Sequence, residues 1–140
     1  MEVLSSNYLD EQVAKCKKKI SEYDYDGAIT NARTFLEEVL LSIEEKINGS
    51  RSKNDGNITM LYKRTAKLLD MENDKYNGPL RKLLDGIKEE IEALGGISDK
   101  TGDRHANSGY RPAERHAMLV VNSCFTIGDF FIRSYKNKYL

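Results

Sequence analysis

One stretch of this chain gathers the side chain types suited to acid–base and phosphate chemistry: GGISDKTGDRHANSGYR, residues 95–111. It holds Asp99, Lys100, Asp103, Arg104, His105, Asn107, Tyr110 and Arg111. An imidazole exchanges a proton near neutral pH, so His105 is the candidate general acid or base. Lysine and arginine side chains stabilise the charge that builds on a phosphoryl group in its transition state. These types suffice for metal-free RNA cleavage, in which the 2′-hydroxyl is the internal nucleophile. They equally suit a solvated loop between two helices, and composition alone leaves both readings open.

Other chemistries find less support. The chain has two histidines, His105 and His116. Asp103 lies close to His105, but no third and fourth ligand follow at a recognisable spacing, so no metal site is expected. There is no phosphate-cradling glycine loop, no dinucleotide fingerprint and no nucleophile elbow, so no cofactor is expected either. Lys+Arg and Asp+Glu are both 22, for a formal net charge of zero. Proteins that track a nucleic-acid backbone usually carry a basic surplus, so DNA is not an expected partner. The run Lys15, Lys17, Lys18, Lys19 reads as a solvated helix face. Cys16 and Cys124 fall on apolar helical stripes and read as small buried thiols rather than a disulfide framework. No run reads as a bilayer span of ~20 apolar residues. The N-terminal MEVLSSNYLDEQ lacks the features of a signal peptide, and the expected compartment is the cytoplasm.

The elements that would position such a site are helical. At 140 residues the chain suits a single domain, able to bury roughly 68–70% of its unfolded surface. Apolar residues at spacings of three and four predict a first helix over 7–22, with Leu9, Val13, Cys16 and Ile20 on one face. A second helix, capped by Asp26, carries Ala28, Ala32, Phe35, Leu36, Val39, Leu40, Ile43 and Ile47. Glu37, Glu38, Glu44 and Glu45 take its other side, and Arg33 can pair with Glu37 at i,i+4. Residues 48–57 form a mobile, turn-rich loop. A third helix spans about 58–71. Pro79 opens a fourth, which Gly95–Gly96 can terminate. Pro112 starts the last, about 112–137, whose wide stripe from Ala113 to Ile132 marks it as the central helix. The fold class is all-α: a compact bundle of four to five helices, an N-terminal helix (1–22) leading into a bundle (23–140) with loops at 48–57 and 95–111.

The segment GDRHANSGYRPAERHAMLVVNSCFTIGDFFIRSY resembles the C-terminal domain of bacterial abortive-infection proteins, within the HEPN-like superfamily. The resemblance rests on Gly102-Asp103-Arg104-His105-Ala106, Arg115-His116-Ala117, Val121-Asn122 and Phe130-Phe131-Ile132. Upstream, Ala28, Ala32, Arg33 and Glu37 match the family's Ala-x-x-x-Ala-Arg-x-x-x-Glu helix. It covers about residues 23–135 and implies a HEPN-like bundle. Active members of the superfamily are metal-independent endoribonucleases that use an Arg-x(4–6)-His motif and commonly dimerise. The resemblance therefore makes His105 the catalytic histidine, Asp99 the polar residue of the motif, and this chain a homodimer. Ser98 stands where the motif has its arginine, so Lys100 or Arg104 would have to supply the cation. Arg111 and Asn107 are the candidate RNA contacts. A literal Arg-x(4)-His match, Arg111 to His116, aligns with the family's final helix instead of its loop.

Three functions follow from this reading: an anti-phage RNase centred on His105, a catalytically inactive HEPN-like module that dimerises or binds a defence partner protein, and a helical adaptor without a defence role.

Overall fold

Each expected helix forms, and most begin at a side chain that satisfies their unpaired N–H groups. The computed structural model describes residues 3–53, 55–102 and 111–140, with backbone alone for 97–102. Among these residues there are five α-helices and no strand: α1 (Ser6–Ser21), α2 (Tyr25–Asn48), α3 (Ile58–Leu68), α4 (Gly78–Gly102) and α5 (Glu114–Tyr139), with one 3₁₀ turn at Asn73–Lys75. The Ser5 hydroxyl accepts from the Tyr8 N–H at 3.1 Å to start α1. Asn57 does the same for α3 through Met60.

Two boundaries differ from the expectation. Asp24, not Asp26, caps α2, accepting from the Gly27 N–H at 2.9 Å. The helix starts early because Tyr23 adopts a left-handed conformation, φ 63°, while the Asp24 N–H closes α1 onto the Lys19 carbonyl. Gly95–Gly96 do not terminate α4, which continues to Gly102. Gly95 packs beside Ile58 of α3, where a Cβ would make an ordinary contact with that side chain at 3.6 Å. The loop expected at 95–111 thus loses its first part to helix.

The core lies between α2 and α5, the most extensive pairing in the fold. Phe35 and Phe125 meet at 4.5 Å between ring centroids, and Tyr8 stacks on Phe35 from α1. Gly128 brings the α5 backbone against the Phe35 ring, since a Cβ there would lie 2.6 Å from Phe35 Cε2. The α5 stripe from Ala117 to Ile132 is buried as expected of the central helix. By length and composition α5 is also apolar enough to cross a bilayer, contrary to the sequence reading; a helix with this much buried core passes the same test. Cys16 and Cys124 are buried free thiols. Burial pushes them up to about 11 and about 12, so neither is a thiolate nucleophile at neutral pH.

Candidate functional site

Arg33 was a candidate for a surface ion pair; it is a buried staple. Its side chain is 8% exposed and that of Glu37 12%. Arg33 Nε donates to Glu37 Oε1 at 2.9 Å. Nη2 donates to the Gly56 carbonyl at 2.6 Å, and Nη1 to the Gly95 carbonyl at 3.4 Å. One guanidinium therefore joins α2, the 49–57 loop and the last third of α4. Its planar fork of donors is what allows three acceptors from three segments to be met at once. The staple lines a polar cleft of about 410 Å³, with Thr59, Glu92 and Gly96 among its walls.

The acidic side of α2 is likewise less solvated than its charge suggested. Glu44 is 3% exposed and paired with Arg64 of α3 at 2.8 Å. The hydrogen bond from Arg64 holds the Glu44 carboxyl below its ordinary range, against desolvation that pushes the other way. Arg51 Nη2 contacts Glu38 at 2.7 Å, and Nη1 reaches Glu45 at 3.4 Å. The loop read from sequence as mobile over 48–57, whose first residue belongs to α2, is thus tied to that helix by Arg51 and by the bond from Arg33 to Gly56.

Beyond the staple, α4 carries the backbone of Ser98, Asp99 and Lys100 in helix. These positions were expected in the loop. Arg104, His105 and Asn107 lie outside the described residues, so the catalytic grouping is not drawn together here. Arg111 is exposed, ahead of α5. His116 sits in the first turn of α5 and accepts the Ala113 N–H on Nδ1 at 3.0 Å. It caps that helix, as its alignment with the family's final helix implied, and the literal Arg111–His116 match is a helix start. Among the described residues no cluster of three metal-ligating side chains occurs. What sequence reasoning missed is the burial of Arg33 and its reach to Gly56 and Gly95; the signal was the Ala-x-x-x-Ala-Arg-x-x-x-Glu pattern, whose arginine falls next to the apolar stripe.

A helical bundle with a buried Arg–Glu pair on α2, supporting the helix that leads to a Gly-Asp-x-His element, defines a class. A family model described as a HEPN-like domain matches residues 7–135, from α1 well into α5. The chain belongs to this HEPN-like family, that of the abortive-infection C-terminal domain. No curated protein and no solved structure matches it.

Proposed function

We propose that this domain acts in abortive-infection defence as a cytoplasmic, metal-independent endoribonuclease of low intrinsic activity, working as a homodimer. The observation that carries the reading is the Arg33 staple: it anchors α4 at Gly95, one turn before the positions of Ser98, Asp99 and Lys100 and shortly before Arg104 and His105. A positioned site needs its supporting segment fixed, and burial of the clamp supplies that at its base. In this chemistry His105 takes the 2′-hydroxyl proton or gives one to the departing 5′-oxygen. The 2′-oxygen attacks phosphorus, the P–O5′ bond breaks, and a 2′,3′-cyclic phosphate remains. Lys100 or Arg104 offsets the charge on the phosphorane-like state, Asp99 serves as the motif's polar residue, and Arg111 and Asn107 contact the RNA backbone.

Ser98 is the specific observation that favours a second reading. It removes the cation from the usual motif position, which suits an inactive domain that dimerises or binds a defence partner protein. Incubating the chain with RNA in the presence of a chelator, as wild type, Ser98→Arg and His105→Ala, separates the two. Cleavage that rises with Ser98→Arg and vanishes with His105→Ala supports the nuclease. No cleavage by any variant leaves the binding module.

A further inference from the structure

Leu83 of α4 is 62% exposed and Leu119 of α5 66%, and the two belong to one surface. The Ser123 hydroxyl donates to Glu90 at 3.2 Å and sets α5 beside α4. The two helices run antiparallel. The start of α4 and the end of α5 both lie by the C-terminal half of α3 and the turn after it, through the bond from Asn73 to Asp85 and those from Lys138 to Leu68 and Asp70. Residues three, four and seven apart share a helix face. Leu83, Gly86 and Ala93 therefore lie with Glu90, and Leu119 and Thr126 with Ser123. Gly86, Ala93 and Thr126 are exposed as well. Among the described residues, α4 and α5 form the slightest helix pairing in the fold, and no third element lies over their shared outer face.

The charges along this face say what covers it. Gly86 stands four residues after Lys82 and four before Glu90, so the position that would hold the i,i+4 partner of either carries no side chain. Lys82, Glu89 and Glu90 form no ion pair among the described residues. Glycine is the poorest helix former after proline, and a Cβ at Gly86 would meet nothing of this chain. A second backbone approaching from outside is what an exposed glycine at this point accommodates.

A half-turn about Gly86 lays the stripe on itself with opposite charges in register. Lys82 of one copy falls opposite Glu90 of the other, with Glu89 beside it, and the pairing occurs twice. Pro79 falls opposite Ala93. Leu119, one turn beyond the Ser123–Glu90 contact, falls by the start of the other copy's α4. A face that answers its own charge pattern under a two-fold axis is what an isologous interface requires. We propose that two copies of this chain pair through the α4–α5 face, with their α4 helices antiparallel and crossing at Gly86. This interface specifies the homodimer of the proposed function and rests on that part of it, not on RNA cleavage. It uses residues 79–93 of α4 and leaves out the end that carries Ser98, Asp99 and Lys100.

Sedimentation equilibrium of the full chain, across micromolar concentrations and without RNA, tests it. Wild type should dimerise. Lys82→Glu should weaken the dimer about a hundredfold, because it sets like charges opposite each other at two symmetric points. Glu89→Lys/Glu90→Lys should do the same. Combining all three substitutions reverses the pattern on both copies and should restore the affinity to near the wild-type value. Gly86→Gln improves the helix, yet should weaken the dimer about tenfold or more by holding the two backbones apart. Every side chain changed is exposed, so an unaltered circular dichroism spectrum will show that the variants fold. Cys16 and Cys124 are buried, so mild oxidation should cross-link Gly86→Cys into a covalent dimer but not Thr34→Cys, an exposed position on α2. His105→Ala should leave the dimer unchanged, which separates this interface from the nuclease reading. A monomer at every concentration, as a face kept for a different protein would give, overturns both this interface and the homodimer. A dimer indifferent to the charge reversals, or not restored when all three are combined, overturns this interface alone.

Discussion

Replacing Arg33 tests the part of the fold on which the functional reading leans. An exposed i,i+4 ion pair contributes about 0.3–0.5 kcal/mol, the value its spacing alone would suggest. The structure predicts far more. Arg33→Met leaves Glu37, only 12% exposed, without this partner, and removes the donors to Gly56 and Gly95. Breaking a buried pair from one side costs about 3–5 kcal/mol, a large share of the 5–15 kcal/mol that typically holds a domain together. Arg33→Lys keeps the charge but has no planar fork, so it should cost less, about 1.5–3 kcal/mol. Adding Glu37→Leu to Arg33→Met should recover part of the loss, because the carboxylate that Arg33 had paired goes too. Urea unfolding measures all three variants, and native-state hydrogen exchange should show the amides near Gly56 and Gly95 losing protection first. A cost below about 0.5 kcal/mol for Arg33→Met would mean that the guanidinium is screened by solvent and anchors nothing.

Gly128→Ala should destabilise the chain by about 0.5–2 kcal/mol in thermal or urea unfolding, since overpacking the fully buried Phe35 ring outweighs a helix-propensity gain of about 1 kcal/mol; a stabilised variant would contradict the close approach of α5 to that ring. The Glu44 carboxyl is held low by Arg64, so its contribution is complete above its ordinary value of 4.5 and is lost as the pH falls through the depressed folded-state value. Glu44→Gln should therefore flatten the loss of stability below about pH 4.5, and an unchanged acid limb would show that the pair does not matter to folding. Light scattering should give twice the 16.0 kDa chain mass at micromolar concentration; the mass of one chain throughout that range would refute the homodimer.

The helices were legible because apolar spacing is a local property, and the side chains at three- and four-residue intervals on α2 and α5 are those the core uses. The failures are of two kinds: at Arg33 the partners are distant in sequence, and at the start of α2 the local backbone geometry decides. Gly95–Gly96 carry the composition of a helix end, yet α4 runs on to Gly102, and the Gly95 carbonyl accepts a bond from Arg33 of α2. Asp26 is a good cap by type, but the turn at Tyr23 places Asp24 there first. Arg33 and Glu37 were visible as a pair, while the other acceptors that meet the guanidinium, the carbonyls of Gly56 and Gly95, lie 23 and 62 residues away in sequence. His116 carried the same ambiguity as any histidine after an arginine, and only its bond to the Ala113 N–H settles it as a cap. At the site, residue types were legible and geometry was not: Asp99 and Lys100 lie on α4 instead of in a loop, whereas the surroundings of His105 depend on residues outside those described.

The most direct measurement of the central claim is RNA cleavage with a chelator present, read on a gel with end-group analysis, for wild type, Ser98→Arg and the double variant Ser98→Arg/His105→Ala. Restoring the motif's cation should raise cleavage well above the weak wild-type level and leave 2′,3′-cyclic phosphate ends. Removing the imidazole as well should reduce the rate by about 10²–10⁴-fold, the usual worth of one such acid–base group. Cleavage that persists unchanged without His105, or that stops when divalent metal is withheld, would contradict the account.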